Sequence, residues 1–159
     1  MSTRAEELAA KLEQINQECI EAVAAANGNL SAVCPAEGWT GAALGAHIAS
    51  GHMGILEGLV KPVVEGREIP PFSLSDFDEP NAKFAAENAA MPQEQVLTML
   101  REHGANAVAY LRSLSDEDLD RTTMLSTLGD QPVTAQQMIE WVLIGHPSEH
   151  GQSLRQGLG

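Results

Sequence analysis

Apolar residues recur at helical spacing in four separate stretches of this chain, and this feature constrains the fold more than any other. The clearest stretch runs from Thr3 to Ala26. Its apolar stripe consists of Leu8, Leu12, Ile15, Cys19 and Val23. The second stretch runs from Thr40 to about Lys61, where Pro62 interrupts it, and the third and fourth begin at Pro92 and Thr134. Four such helices predict an all-α four-helix bundle.

The lengths of the connections predict how these helices run. The link between the first two is moderate, so they are expected to run antiparallel, whereas a long crossover from Gly66 to Ala90 lets helices 2 and 3 run parallel. Within the crossover we expect only a short helix, around Lys83 to Glu87. The fourth helix then returns antiparallel to the second. Residues 1–159 are expected to form a single domain.

The net charge limits which partners are expected, and the cysteine content indicates the cellular compartment. The net charge of −13 disfavours nucleic acids and anionic membranes as partners, which leaves small molecules or proteins. The N-terminal region has no apolar run of the signal-peptide type, and the chain has none long enough to cross a membrane. Cys19 reads as a small core residue, and Cys34 as either a loop residue or a reactive thiol. Such sparse cysteine usage fits a reducing cytoplasm.

Two histidines, His146 and His150, lie four residues apart in the fourth helix. Because four residues make just over one helical turn, both imidazoles project from nearly the same side and form half of a metal site. Pro147 between them removes a backbone donor, so the helix is expected either to kink there or to break and restart with Pro147 in its first turn.

The bundle predicts where the rest of this site comes from. His47 lies about 10 Å from the start of the second helix, which is the level that the end of an antiparallel fourth helix reaches. It therefore completes a three-histidine site. Three protein ligands with a vacant position are typical of catalytic zinc or a similar ion, and neutral imidazoles leave the cation free to acidify bound water or a thiol. Nickel, iron or manganese also suit such ligands.

Glycines recur below His47 on the same helix, at Gly51, Gly54 and Gly58. Each costs about 1 kcal/mol of helix stability relative to alanine, so a compensating role is expected. They either clear space for a ligand, with Gly51 and Gly54 as candidate substrate-binding positions, or let a neighbouring helix approach closely.

Taken together, several motifs resemble the DinB/YfiT-like superfamily, which includes mycothiol- and bacillithiol-dependent transferases and maleylpyruvate isomerases. The residues that carry the resemblance are Trp39-Thr40, His47-Ile48, Asp78, Asn81, His146, His150 and Gln152. The resemblance implies an up-down-down-up bundle, usually dimeric, with a divalent metal on His47, His146 and His150. It also implies thiol-dependent transfer or isomerisation. From the ligand set, we expect the metal to be zinc or nickel, with iron or manganese as alternatives.

Other polar residues receive lesser roles. Glu57, Asp78 and Asn81 are candidates for supporting the site or binding substrate, although each also reads as an ordinary surface group. His52 points away from the face of His47, and His103 matches no position of the family, so neither is expected to bind metal. No catalytic acid or base is evident.

Three functions therefore compete. The chain is a metal-dependent enzyme of the thiol transferase type, a non-enzymatic metal or small-ligand binding protein, or a plain dimeric bundle whose histidines bind nothing. The vacant position and the crossover favour the first, and the lack of an evident acid or base favours the second.

Overall fold

The chain folds into helices joined by short links and one long crossover. A computed structural model describes residues 1–129 and 131–159, with the side chain of Leu128 left out. Within these residues the α-helices are α1 (Thr3–Ala25), α2 (Gly41–Ile55), α3 (Lys61–Glu65), α4 (Asp78–Glu87), α5 (Gln93–Arg112), α6 (Asp116–Asp120), α7 (Ala135–Met138) and α8 (Gly145–Leu158). π-Helical segments Leu56–Val60 and Ile139–Ile144 make α2 with α3, and α7 with α8, continuous.

These elements build four bundle helices, of which the first is α1, the second residues 41–65, the third α5 and the fourth residues 135–158. The third packs between the first and second, and the fourth closes the bundle by packing on α1 and α2. The prediction of an all-α, up-down-down-up bundle with a long crossover is confirmed. A short antiparallel ribbon, β1 (Thr122–Met124) with β2 (Pro132–Thr134), was not predicted. No described helix combines the length and the apolar character that a membrane span requires.

Both π-helical segments lie just before a proline. The predicted end of the second helix at Pro62 is wrong, because the helix continues to Glu65 and ends at Gly66, whose φ is +67°. The Lys61 N–H donates to Leu56 O, five residues back, and this wider turn relieves the clash that a proline ring makes with an α-helical carbonyl. In the fourth helix Pro147 lies in the first turn of α8, and the helix continues through this position without a break.

The crossover is more ordered than its sequence predicts. Instead of a short helix around Lys83 to Glu87, α4 covers ten residues from Asp78, preceded by a 3₁₀ turn at Leu74–Phe77. Thr40 ties the far end of the crossover to the start of α2, since its hydroxyl donates to Ala89 O at 2.8 Å. The crossover therefore lies against the end of the bundle from which His47 projects.

Candidate metal centre

The three predicted histidines meet at the contact between α2 and α8. The ring centroids lie 4.8 Å apart for His47 and His146, 5.0 Å for His47 and His150, and 4.6 Å for His146 and His150. Nε2 of His47 lies 3.0 Å from Nε2 of His146. One ligand nitrogen from each ring lies within 4.8 Å of the other two. The convergence predicted from helix levels is therefore present.

Gly51 explains how the rings come so close. It lies one turn after His47 in α2, and a Cβ atom there would lie 2.4 Å from Cε1 and 2.7 Å from Nδ1 of His146. The absence of a side chain at Gly51 thus makes room for the His146 ring. This corresponds to the second role considered for these glycines, the close approach of a neighbouring helix. Gly54 and Gly58 differ, since they are exposed and a Cβ at either would have nothing within 4 Å.

Burial keeps His47 and His146 neutral. It lowers the pKa of His47 to about 4, and the nearby His150 acts in the same direction. Burial lowers the pKa of His146 to about 3, again reinforced by the neighbouring imidazoles. A neutral imidazole has a free lone pair, which is the form that binds metal ions. At neutral pH His47 and His146 can therefore coordinate a metal ion without first losing a proton.

The donor set fits a divalent cation. Zinc binds imidazole nitrogen at about 2.0–2.1 Å, so two such ligands lie at most about 4.2 Å apart. Nitrogens already within 4.8 Å of one another therefore need only small side-chain rotations to share one ion. Three imidazoles suit zinc, nickel and iron better than the hard cations that prefer oxygen.

A carboxylate that the sequence did not reveal supports the site. Glu37 Oε1 lies 2.7 Å from Nδ1 of His150, and Glu37 Oε2 accepts a hydrogen bond of 2.6 Å from the Ser153 hydroxyl. Ser153 is buried on α8, and Glu37 lies in the loop before α2. No motif in the sequence marks this glutamate, because only the folded chain brings its loop to the end of α8.

Aromatic rings line the side of His47. Trp39 packs edge-on against it, with centroids 5.2 Å apart, and Phe84 of the crossover helix α4 lies at 6.1 Å. Trp141 of the fourth helix is 54% exposed and is not part of the core. The site is thus bordered by the loop before α2 and by the crossover.

The remaining predicted site residues are dispersed. Asn81 is half-buried one turn before Phe84, which places it on the face of α4 that carries Phe84, and Asp78 is exposed one turn earlier. Glu57 lies about 15 Å along the second helix from His47. Its carboxylate pairs with Lys61. Substrate binding by these residues, Gly51 and Gly54 stays a prediction.

His52 and His103 lie outside the cluster. His52 is fully buried and bonds through Nε2 to Asn16 Oδ1 at 2.8 Å, while His103 Nδ1 lies 2.9 Å from Ala49 O. Asn16 donates its amide to Leu100 O, so its Oδ1 accepts from His52 and His52 carries its proton on Nε2. Both histidines serve packing and hydrogen bonding between helices.

The metal-free protein is expected to lose stability as the pH falls from about 6.5 toward 4. Burial lowers the pKa of His52 to about 4. Below pH 6.5 the unfolded chain therefore binds protons that the folded chain does not bind. The effect of His52 alone should lower the free energy of unfolding by about 2 kcal/mol at pH 5. His47 and His146 act in the same direction.

Urea unfolding at pH 7.5, 6 and 5 measures this effect. His52→Gln should lower the free energy of unfolding at pH 7.5 and also flatten its pH dependence. Equal stability of the original chain at pH 7.5 and pH 5 would contradict the neutral, buried state of these imidazoles.

Comparison with known proteins places the fold. The sequence profile of the mycothiol maleylpyruvate isomerase N-terminal domain matches residues 5–143, which includes His47 and ends before His146. A comparison with curated proteins gave no significant match.

Two solved structures share the architecture. YfiT from Bacillus subtilis, a probable metal-dependent hydrolase with an unusual four-helix bundle topology, superposes with a TM-score of 0.72 at 19% identity, over 98% of this chain and 87% of its own. The mycothiol-dependent maleylpyruvate isomerase gives 0.68 at 18% identity, over 97% of this chain and 63% of its own. The chain thus spans less than two thirds of the isomerase. At these identities the likeness shows a shared fold.

Proposed function

The chain belongs to the mycothiol maleylpyruvate isomerase N-terminal domain family, within the DinB/YfiT-like superfamily, and we propose that it is a divalent-metal-dependent enzyme using a low-molecular-weight thiol. The reaction would be transfer of the thiol to an electrophile or a thiol-assisted isomerisation. The observation that carries the proposal is the convergence of three imidazoles from two helices at one point.

His47, His146 and His150 would hold the cation. A divalent cation with neutral ligands keeps its double charge and lowers the pKa of a thiol, which supplies a thiolate nucleophile at neutral pH. The protein's own residues orient and enclose the reactants. Trp39 and Phe84 cover one side of His47 with apolar surface, which keeps water from that side.

The chain's own thiols are poorly suited to act as the nucleophile, which supports a thiol supplied from outside. Cys19 and Cys34 are both fully buried, and burial raises the pKa of each to about 11. A reactive cysteine needs a lowered pKa and access to solvent. The reactive-thiol interpretation of Cys34 is therefore not supported.

The substrate would enter between the crossover and the fourth helix. Asn81 lies on the same face of α4 as Phe84, so its amide is the best-placed of the predicted polar groups to hydrogen-bond a substrate. Asp78 and Gly54 would contribute at the exposed margin. Glu57, engaged by Lys61, is the weakest of these candidates.

Several further features belong to this proposal. Zinc or nickel would be the resident metal, with iron or manganese as alternatives. We place the protein in the cytoplasm, as a homodimer of chains whose residues 1–159 form one DinB-like domain. The free state of both cysteines is consistent with a reducing compartment.

Turnover assays test the reaction. Protein purified without a histidine tag and loaded with zinc or nickel would be offered mycothiol, bacillithiol or glutathione with a panel of electrophiles and with maleylpyruvate. We expect thiol-dependent product formation that a chelator abolishes. A fully metal-loaded protein that is inactive across the panel would contradict the enzymatic proposal.

One observation favours a second candidate, a non-enzymatic binding protein for a metal or small ligand. Glu37 is the carboxylate that contacts the histidine cluster in the described structure, and both of its oxygens are occupied by His150 and Ser153. It is therefore poorly placed to act as a base. Inactivity combined with tight metal binding would favour this candidate.

A further inference from the structure

We propose that Glu37 is a positioning residue that fixes the tautomer and orientation of His150, and thereby sets the affinity of the three-histidine site for a divalent cation. This inference rests on the proposed function only for its metal-binding part. The contact with His150 is a property of the chain itself.

Hydrogen-bond chemistry determines the tautomer. An ionised carboxylate accepts hydrogen bonds and has none to give, so the 2.7 Å contact between Glu37 Oε1 and His150 Nδ1 places the imidazole proton on Nδ1. Nε2 of His150 is then left with its lone pair. Because Nδ1 is engaged by Glu37, Nε2 is the nitrogen of His150 available to the cluster.

Glu37 is itself held in place from two directions. Ser153, one turn after His150 on α8, donates to Glu37 Oε2 at 2.6 Å and accepts from the Ala36 N–H at 3.2 Å. The loop is closed by a bridge between Val33 and Thr40. Inside it, the Cys34 N–H donates to Trp39 O at 2.7 Å. The carboxylate therefore has little freedom to leave His150.

Burial distinguishes Glu37 from the other paired glutamates. Among the residues that the structure describes, six glutamates pair with Lys or Arg, and their side chains are between 41% and 62% exposed. The side chain of Glu37 is 10% exposed and its partner is a histidine. Burying a carboxylate is costly unless its oxygens are bonded and its charge is offset. A cation held by the adjoining imidazoles would offset that charge, and carboxylates hydrogen-bonded to metal-binding histidines raise metal affinity.

Two substitutions separate charge from hydrogen bonding. Glu37→Gln keeps an acceptor for His150 Nδ1 but removes the negative charge, and it should raise the Kd for zinc about 10-fold. Glu37→Ala removes both and should raise the Kd about 100-fold. Glu149→Gln is the matched control, since Glu149 is exposed next to His150 in sequence and makes no ion pair among the described residues. Its Kd should stay within about twofold of the original.

The tautomer can be read without metal. Long-range ¹H–¹⁵N correlation spectra of the metal-free protein at pH 8.5, where imidazoles are neutral, should show His150 with its proton on Nδ1. Glu37→Ala should shift this population toward the Nε2–H form. Circular dichroism would verify that each variant is folded.

The outcomes are separable. A His150 tautomer that is the same in the original chain and in Glu37→Ala would overturn the inference, and so would a zinc Kd that Glu149→Gln weakens as much as Glu37→Gln does. If the original chain bound no zinc while the tautomer still shifted in Glu37→Ala, the proposed function would fail and the positioning of His150 by Glu37 would stand.

Discussion

Gly51→Ala is expected to weaken zinc binding about 100-fold while leaving the bundle folded. The added Cβ would lie 2.4 Å from Cε1 of His146, closer than two carbon atoms can approach, so the ring must move. Metal–ligand distances tolerate a displacement of only about 0.2 Å, whereas the His146 ring must move by roughly 1 Å to relieve this contact. The ring is the end of a side chain, so it can rotate away without unfolding α2. Isothermal titration with zinc measures the loss.

Gly54→Ala is the matched control for this substitution. It adds the same methyl group to the same helix, but at an exposed position where a Cβ has no neighbour within 4 Å. We expect unchanged zinc binding and a gain of about 0.5–1 kcal/mol in the free energy of unfolding, because alanine favours helix over glycine. Equal zinc affinity in both variants would show that His146 is not a ligand.

Replacing His47 and His150 together is expected to abolish metal uptake. The double variant His47→Ala, His150→Ala leaves one imidazole at a place where three converge, and a single nitrogen cannot retain a divalent ion against water. The metal content of the untagged double variant should therefore fall from about one ion per chain to background.

His103→Ala provides the comparison for the double variant. It also removes an imidazole, but one that bonds to Ala49 O and lies outside the cluster. Its metal content should match that of the original chain. Retention of a stoichiometric metal by the double variant would mean that the ion binds elsewhere.

The helix faces were predictable because burial follows helical periodicity. The buried residues of α5 recur at the helical spacing seen in the sequence, namely Val96, Leu97, Leu100, Gly104, Ala107, Val108 and Leu111. The π-helical segments were not predictable in the same way. Proline signals a disturbed turn, but whether a helix ends or widens depends on what the following residues can bury, and Val63 and Val64 pack into the core.

The site was predictable only as far as it depends on helix geometry. His146 and His150 share a face because of their spacing, and His47 reaches them because antiparallel helices match in level. Glu37 comes from a loop, and no periodicity relates a loop residue to a helix more than 100 residues later. Gly51 had two interpretations, and the position of the His146 ring, which only the folded chain reveals, favours the close approach of a neighbouring helix.

Only the second half of the crossover helix was predicted, as a short helix around Lys83 to Glu87, for a related reason. α4 buries little, with Ala85 as its buried residue and Phe84 half-buried against His47, so its apolar pattern is too sparse to mark ten helical residues. Periodicity detects helices that bury a full stripe. A helix that covers a site from outside carries a weaker signal.

Anomalous diffraction from crystals of the untagged, zinc-loaded protein, collected on both sides of the zinc absorption edge, would show directly whether the three histidines hold the ion. We expect one strong peak among His47, His146 and His150, with the three nitrogens at about 2.0–2.1 Å from it. A zinc-loaded crystal with no peak there, or with its peak bound by other residues, would contradict this expectation.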